Sequence, residues 1–401
     1  MSEQVTLAEL TTMGVGGPVS VFRETETEQD FVDAVRAADM ISMPVLVIGG
    51  GSNLLASDER FDGLVLRDRR KGHLPTVAHD DGTVDITVFA GQDWDKFVAG
   101  TVRHGWAGVE ALSGIPGTVG AAPVQNIGAY GQDVSQTIKS VRVFDRLSEE
   151  IVEISNADLD FGYRASLLKD SMAESPRWYP TPRYVVLEVT FTLTPGDVSI
   201  PIAYSELANA LGVAVGERAP LAQVRDAVLE LRAGKGMLAP LGEFAADYDR
   251  WSAGSFFTNP ILTAAAAAQL PPEAPRFPVK PRGSVAVVEA NATSVVETNP
   301  TAVVETNPTA AEPDATATAA EPAVKTSAAW LIGNAGFGKG FGVYGPDSKA
   351  TLSTRHTLAL TNRGEATAAD IAELARAIQA GVQERFGATL EPEPITIGFR
   401  I

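Results

Sequence analysis

The stretch GIPGTVGAAPVQNIGAYG, residues 114–131, decides which fold we expect for this chain. It is uncharged and holds five glycines and two prolines, and its polar side chains are Thr118, Gln125, Asn126 and Tyr130. A flat heteroaromatic cofactor needs close approach of the backbone and a few neutral hydrogen-bonding groups, and this composition supplies both. The alternative is a buried Ω-type loop without a ligand.

A second glycine-rich loop, GGGSN at residues 49–53, follows directly on an apolar run at residues 44–48 that predicts a buried strand. Glycines let backbone N–H groups approach an anion, and Ser52 and Asn53 add side-chain donors, which is typical of a pyrophosphate site. The loop is not the Rossmann fingerprint, because Leu54 stands where the last glycine of G-x-G-x-x-G is required. A tight strand exit without a ligand is the alternative.

The composition of the chain bounds its class. Its 401 residues are 45% hydrophobic and 20% charged, which is typical of a globular protein of two or three domains. The formal net charge of −18 argues against a nucleic-acid partner. With no cysteine, the chain has no disulfide, thiolate zinc site or cysteine nucleophile. Since it shows neither a signal-peptide pattern nor an apolar run of about 20 residues, we expect a cytoplasmic protein without membrane contact.

Helical and strand patterns are mixed along the chain and predict an α+β fold. Helical spacing of apolar residues predicts helices at residues 28–38, 93–104 and 220–232. Strands are predicted at residues 44–48, 64–67, 84–89, 137–144 and 184–193. Thr367 and Asp370 form a capping-box pattern before another helix, which Gly387 ends. The strands come in runs, without a regular βαβ alternation.

Residues 264–327 differ from the rest of the chain. They begin with five alanines and contain the repeat VVETNPTA at residues 295–302 and 303–310. Such a segment has little apolar surface to bury, so we expect a largely disordered surface insertion within a domain.

Two short motifs carry residues that are able to do chemistry. In FGYRAS, residues 161–166, Arg164 lies beside Tyr163 and is able to pair with a carboxylate or stabilise negative charge. A surface ion pair is the alternative. In GSFFTNP, residues 254–260, Ser255 is either a turn residue beside two core phenylalanines or a residue that takes part in the reaction.

Other polar residues allow two interpretations each. Lys235 follows the helix at residues 220–232 and either closes its C-terminus or reaches a phosphate. Tyr204 alone would be an ordinary packing residue. Glu391 and Glu393 point the same way in an extended segment, as solvated charges or as one acid tuned for catalysis.

Taken in order, several motifs resemble one enzyme family: GGGSN, residues 114–131, FGYRAS, GSFFTNP, AAWLI at residues 328–332 and LEPEP at residues 390–394. They are similar to the UDP-N-acetylenolpyruvoylglucosamine reductases of bacterial peptidoglycan synthesis, in their longer first class. The similarity covers nearly the whole chain except residues 264–327.

The resemblance implies an α+β fold with an FAD-binding region of the vanillyl-alcohol-oxidase-like (PCMH) type, in two parts. These parts would be residues 1–66 and 67–236. Residues 237–401 would form an α+β substrate-binding domain that carries the insertion, and the last residues would pack back on the FAD-binding region.

The resemblance also implies the roles of individual residues. The catalytic set would be Arg164, Glu393 and the proton donor Ser255, and the nucleotide-sugar would bind Tyr163, Tyr204, Lys235 and Asn259. The FAD-binding set would be Gly49, Gly50, Gly51, Ser52, Asn53, Gly114, Ile115, Pro116, Gly117, Gly120, Gln125, Asn126, Ile127, Gly128, Ala129 and Tyr130. The segment after Glu393 departs from the family pattern, which leaves Glu391 as an alternative to Glu393.

The activity that the resemblance implies is a two-stage reduction. NADPH reduces FAD and leaves, and UDP-N-acetylglucosamine enolpyruvate then receives a hydride and a proton to give UDP-N-acetylmuramate. A monomer is expected. Two alternatives remain at this point: a flavin oxidase or dehydrogenase that acts on an alcohol, and a non-catalytic protein that binds a nucleotide-sugar.

Overall fold

The computed structural model describes residues 4–238, 247–279 and 323–401. The helices are α1 (Leu7–Leu10), α2 (Glu28–Met40), α3 (Trp94–Arg103), α4 (Leu167–Asp170), α5 (Ser205–Leu211), α6 (Leu221–Gly234), α7 (Ala264–Gln269), α8 (Ala328–Asn334) and α9 (Ala368–Phe386). Within these ranges, no helix is both long enough and apolar enough to cross a bilayer.

The strands are short, and most of them belong to small sheets. They are β1 (Val19–Thr25), β2 (Val45–Val47), β3 (Leu54–Ala56), β4 (Phe61–Asp68), β5 (Val77–Ala78), β6 (Val84–Phe89), β7 (Trp106–Ala107), β8 (Gly128–Ala129), β9 (Gln132–Asp133), β10 (Ile138–Asp145), β11 (Glu150–Ser155), β12 (Tyr184–Pro195), β13 (Ile261–Thr263), β14 (Arg276–Pro278), β15 (Ala323–Thr326), β16 (Ala350–Leu352), β17 (Leu360–Asn362) and β18 (Ile395–Ile397).

The first sheet is parallel and has the strand order β1-β4-β2. Helix α2 begins behind the N-cap Thr27, whose side chain accepts a hydrogen bond from Asp30 N. Its buried face, including Phe31 and Val35, packs in one apolar cluster with Leu66 of β4. The loop that leaves β2 at residues 48–53 is thereby fixed against a packed layer.

The second sheet is antiparallel, in the order β11-β10-β12-β6-β5. Helix α3 packs Trp94 and Phe97 against Phe191 of β12, with ring centroids 6.0 and 4.8 Å from that of Phe191. Residues 114–131 cross this region with one 3-10 turn at Val119–Ala121 and end in β8, the first strand of the β8–β9 hairpin.

The C-terminal part surrounds helix α9. The predicted capping box at Thr367 and Asp370 is present, and Gly387 ends the helix with φ 64° in the left-handed region. Its apolar stripe packs with Phe256 and Phe257, which are buried. Strand β18 then pairs in parallel with β3 near the other end of the chain.

The expected disorder of residues 264–327 is wrong at both ends of this segment. Residues 264–269 form α7, and β14 and β15 pair with each other and with β13. Leu270 is buried in the apolar cluster around α9, so this segment has apolar burial that composition alone did not reveal. Residues 280–322, which hold both copies of VVETNPTA, lie outside the described residues.

Candidate active site

Two cavities meet beneath the glycine-rich loops. The first has a volume of about 190 Å³ and lies between residues 46–54 and 116–127, with Pro180–Val186 of the following strand region on another side. The second, of about 340 Å³, extends from residues 127–130 to Lys235, Ser255 and Glu393. Both are lined by Ser52, Asn53, Pro116, Gln125 and Ile127, so they adjoin each other.

The loop at residues 49–53 forms an anion cradle against residues 116–118. A Cβ at Gly50 would lie 2.9 Å from Gly117 Cα, and one at Gly51 would lie 1.9 Å from the Leu10 carbonyl oxygen, so neither site admits a side chain. Within the described part of the chain, the backbone N–H groups of residues 49–53 donate no hydrogen bond to other protein atoms. Unpaired N–H groups beside close-packed glycines fit a pyrophosphate.

The walls of the first cavity fit a planar, neutral ring system. They are mostly apolar, and Trp94 and Ala122 are almost fully buried in them. Gly120 admits no side chain either, since a Cβ there would lie 2.5 Å from that of Ala90. A cradle for a diphosphate joined to an apolar slot for a ring is the arrangement that a dinucleotide such as FAD requires.

Arg164 and Glu393 form an ion pair at the wall of the second cavity, with Arg164 Nε 2.8 Å from Glu393 Oε1. Arg164 has φ 54°, a left-handed conformation that is costly for a residue with a side chain. Its guanidinium also donates to the carbonyl oxygens of Asn126 and Gly128, at 3.4 and 3.1 Å. Burial raises the pKa of Glu393, opposed by the positive charges of Arg164 and Lys169.

Ser255 lies in the same wall. Its Oγ is 3.4 Å from His356 Nε2, a long contact in which either atom is able to donate. Burial, first, and then the charge of Lys235 lower the pKa of His356 to about 4, so the imidazole is neutral at ordinary pH. Glu393 N donates to the Phe256 carbonyl oxygen at 2.8 Å, which ties the serine segment to the glutamate segment.

Opposite this wall, Lys235 points into the cavity. Its Nζ lies 2.7 Å from Glu206 Oε2 and 5.3 Å from the centre of the Tyr130 ring. The Tyr130 and Tyr204 rings meet edge to face, with centroids 5.9 Å apart. Arg232 is buried beside them, and its Nε has no hydrogen-bond partner within the described residues. Among the described residues, the cavity is thus lined by four cationic side chains, those of Arg164, Arg232, Lys235 and Arg250, and by the carboxylates of Glu206 and Glu393.

Most predicted site residues line one of the two cavities, but four do not. Gly114 has φ 72° and packs against Leu229 and Leu238. Asn126 accepts from Ser135 N and donates to the Gly162 carbonyl oxygen, so it supports the loop that carries Arg164. The other two, Tyr163 and Asn259, bond to each other, since Asn259 N donates to the Tyr163 hydroxyl at 3.2 Å. Asn259 Oδ1 in turn accepts from Ala328 N at the start of α8.

The structure separates Glu391 from Glu393. Glu393 lines the second cavity, whereas Glu391 is exposed and its carbonyl oxygen accepts from Thr258 N. The position of Glu393 favours it over Glu391 for the role of the active-site acid.

Sequence reasoning missed several polar residues of the site, namely Lys169, Glu206, Arg232 and His356. Three of them lie close in sequence to a residue already noted: Glu206 two residues after Tyr204, Arg232 three before Lys235, and Lys169 five after Arg164. Only the contact of His356 with Ser255, across 101 residues of sequence, had no local signal.

Comparison with known proteins gives the class and then the family. Residues 19–155 match the sequence model of an FAD binding domain, and together with the joined cavities this defines an FAD-binding oxidoreductase. Residues 246–397 match the model described as "UDP-N-acetylenolpyruvoylglucosamine reductase, C-terminal domain". The chain belongs to the UDP-N-acetylenolpyruvoylglucosamine reductase family, which confirms the resemblance noted in its motifs.

Two relatives and one solved structure illustrate the similarity. The chain is 46% identical over 399 residues to the UDP-N-acetylenolpyruvoylglucosamine reductase of Nocardia farcinica, covering 100% of this chain and 90% of that one. It is 47% identical over 393 residues to the Streptomyces coelicolor enzyme of the same name, covering 98% and 89%. The crystal structure of the reductase from Thermus caldophilus superposes with a TM-score of 0.57 at 24% identity, over 98% of each chain. That match confirms the predicted fold class.

Proposed function

We propose that this protein catalyses the NADPH-dependent, FAD-mediated reduction of UDP-N-acetylglucosamine enolpyruvate to UDP-N-acetylmuramate in peptidoglycan synthesis. The observation that carries the proposal is the meeting of Arg164, Glu393 and Ser255 in one wall, beside the junction of the two cavities. A cation, an acid and a hydroxyl at that place are the groups that reduction of an enolpyruvyl ether requires. We also propose a cytoplasmic monomer.

The first cavity would hold the cofactor through residues 49–53 and 116–127. FAD bound there supplies the hydride, after reduction by NADPH. The chain's own contribution is orientation and exclusion of water. Gln125 and Ile127 line both cavities, so they set the boundary between cofactor and substrate.

The second cavity would hold the nucleotide-sugar. Lys235 and Arg232 offer positive charge to its diphosphate, and the rings of Tyr130 and Tyr204 offer flat faces beside them. In the free protein Lys235 forms an ion pair with Glu206, and the substrate diphosphate would replace the Glu206 carboxylate as its partner. The substrate-binding roles expected for Tyr163 and Asn259 remain predictions, since these residues lie behind the lining.

Reduction of the enolpyruvyl group places negative charge on its carboxylate side. Arg164 and a protonated Glu393 would stabilise this charge, each by about 3–4 kcal/mol if it behaves as one well-placed oxyanion donor. Burial raises the pKa of Glu393, which increases the protonated fraction at any given pH. Ser255 would give the proton from its Oγ to the second carbon, with the neutral imidazole of His356 as its hydrogen-bond partner.

The proposal is tested by the colour of the purified protein under anaerobic conditions. We expect a yellow protein that NADPH bleaches and that regains its colour when the enolpyruvyl nucleotide-sugar is added, with UDP-N-acetylmuramate as the product. A bleached protein that this substrate does not reoxidise contradicts the proposal. Rapid reoxidation by oxygen, together with reduction by an alcohol, would instead favour the flavin oxidase.

A further inference from the structure

Lys169 is a partly buried lysine that the reaction described above does not use. It lies in α4, where its backbone N–H donates to the N-cap Ser166 at 3.1 Å, and its side chain turns inward. Within the described residues, no carboxylate lies within 4.0 Å of its Nζ. Burial of a lysine without a paired carboxylate is costly, so the fold keeps this charge at some expense in stability.

The ammonium group of Lys169 is bonded to two parts of the site. It donates to Gln125 Oε1 at 3.0 Å and to the backbone carbonyl oxygen of Arg164 at 3.1 Å. Because the oxygen end of the Gln125 amide is held in this way, its Nε2 faces the other way and donates to the Glu393 carbonyl oxygen at 3.3 Å. One cation therefore sets the orientation of a side chain that lines both cavities.

The bond to Arg164 matters because that residue is strained. A non-glycine residue at φ 54° persists only where its surroundings hold it there. The guanidinium of Arg164 is held by Asn126, Gly128 and Glu393. The backbone carbonyl oxygen of Arg164 accepts a hydrogen bond from Lys169, so Arg164 is held at its backbone as well as at its side chain.

We propose that Lys169 is a positioning residue that fixes the strained Arg164 and the boundary residue Gln125 for the reaction. This proposal rests on the proposed function and deepens it. Lys169 would hold the Arg164–Glu393 pair in position and would not contact the substrate. Its charge also acts at a distance on Glu393, where it favours the carboxylate form against burial.

Several charged groups face this pair and bear on its titration. Those facing Glu393 are Arg164, Lys169 and Tyr163, and those facing Lys169 are Glu393, Asp170, Arg164 and Glu391. Loss of the Lys169 charge removes one of the two cations that stabilise ionised Glu393. The pKa of Glu393 should then rise further above its ordinary value.

The test compares Lys169→Met, which loses charge and donors at similar length, with Lys169→Arg, which keeps both. The control is Lys96→Met, the same change at an exposed lysine of α3. Anaerobic rapid mixing of each reduced holoenzyme with the enolpyruvyl nucleotide-sugar gives the rate of flavin reoxidation. We expect about a 100-fold loss for Lys169→Met, since misplacement of a positioned group costs about this much. Lys169→Arg should recover much of the rate, and Lys96→Met should match the unaltered enzyme.

The pH profile of the reoxidation rate distinguishes a charged positioning residue from a residue that only stabilises the fold. In Lys169→Met, the fall in reoxidation rate at high pH should move to higher pH, because Glu393 keeps its proton longer. A rate equal to that of the unaltered enzyme, or a uniform loss with an unmoved profile that Lys169→Arg does not rescue, overturns the proposal. If Lys169→Met loses FAD on purification, Lys169→Gln, which removes the charge but keeps hydrogen-bond donors, replaces it in this profile and in the next experiment.

An infrared pH titration of the holoenzyme reads the same effect without turnover. The carbonyl band of a protonated carboxyl group that disappears in Glu393→Gln reports the pKa of Glu393. We expect this pKa to be higher in Lys169→Met than in the unaltered protein and unchanged in Lys96→Met. If the band titrates with the same midpoint in Lys169→Met as in the unaltered protein, Lys169 does not influence Glu393 and that part of the proposal is wrong. If the unaltered enzyme is not reoxidised by the substrate, the proposed function fails, while this titration still decides about Lys169.

Discussion

At the scale of single residues, the site consists of groups whose ordinary chemistry is altered by burial. Ser255 faces a neutral imidazole, and Glu393 has a raised pKa although it lies beside Arg164. Arg164 itself is held in a left-handed conformation. The motifs predicted these three residues, whereas the contact of His356 with Ser255 became visible only when the fold brought distant segments together.

The role of Ser255 is tested by Ser255→Ala. Flavin reduction by NADPH should stay nearly unchanged, and reoxidation by the enolpyruvyl substrate should slow by about 10²–10⁴-fold, the usual contribution of a positioned acid. Anaerobic stopped-flow on each half-reaction measures both rates. Equal slowing of the two half-reactions would contradict a proton donor that acts only in the second.

The pH dependence of reoxidation should follow the protonated form of Glu393. Because burial raises its pKa, the acid form persists above the usual range of a glutamate, and the rate should fall as the pH rises through that pKa. Glu393→Gln should give a slower rate that no longer varies in this range. His356, with its pKa lowered to about 4, should contribute no change near neutral pH. A profile unaltered in Glu393→Gln would assign the titration to another group.

Glu206 should act as a competitor for Lys235. The pair is partly exposed, with side-chain exposures of 27% for Lys235 and 39% for Glu206, so it is worth about 0.2–1 kcal/mol. Glu206→Gln should therefore lower the KM for the nucleotide-sugar by roughly 1.4- to five-fold, with kcat little changed. A raised KM would show instead that Glu206 helps to bind the substrate, and steady-state kinetics distinguishes the two.

At the scale of elements, the two glycine-rich loops form one cradle because each leaves room for the other. The contact between Gly50 and Gly117 is between backbones, so it depends on the absence of a side chain rather than on a hydrogen bond. Loops of this kind hold a cofactor through their shape.

Gly50→Ala tests this cradle. The added Cβ would lie 2.9 Å from Gly117 Cα, and the resulting displacement should cost about 1–3 kcal/mol of FAD binding, roughly five- to 150-fold in Kd. Fluorescence titration of the apoprotein with FAD measures this. Gly333→Ala in α8, where the Cβ would meet nothing within 4 Å, is the matched control. Equal FAD affinity in the two variants would place the cofactor elsewhere.

Most elements were predictable from sequence, for identifiable reasons. Helices α2, α3 and α9 carry caps and a regular apolar stripe, and strands β6 and β12 are apolar runs that the sequence placed within two residues. Helix α7 and strands β14 and β15 were missed because alanine, proline and threonine give no periodic signal. Strands β14 and β15 form through a three-strand pairing between segments about 50 residues apart, as the 51-residue separation of Thr326 and Pro275 illustrates.

At the scale of the whole molecule, the order found at both ends of residues 264–327 limits which part of this segment can be deleted without loss of structure. Pro278 pairs with Val324, so residues 279 and 323 lie at adjacent ends of β14 and β15. Replacement of residues 280–322 by a short Asn-Gly turn should keep the hairpin and leave turnover within about two-fold, because two-residue turns suit such strands.

The longer deletion of residues 266–324 should behave differently. It removes most of α7, all of β14 and the buried Leu270, and loss of such a buried side chain alone costs about 2–5 kcal/mol. We expect a lower unfolding midpoint in urea and weaker turnover than for the shorter replacement. Equal stability of the two deletions would show that this small sheet is dispensable.

The pairing of β18 with β3 bears on how the chain folds as it is synthesised. Asn53 and Glu393, whose side chain and carbonyl oxygen are bonded here, are 340 residues apart. A contact at this separation forms late, since the loop that it closes must first be ordered. Until β18 has been synthesised, the edge of β3 therefore has no partner strand. An exposed strand edge is prone to aggregate. Early FAD binding to the growing N-terminal part would protect that edge, so expression yield should depend on flavin supply.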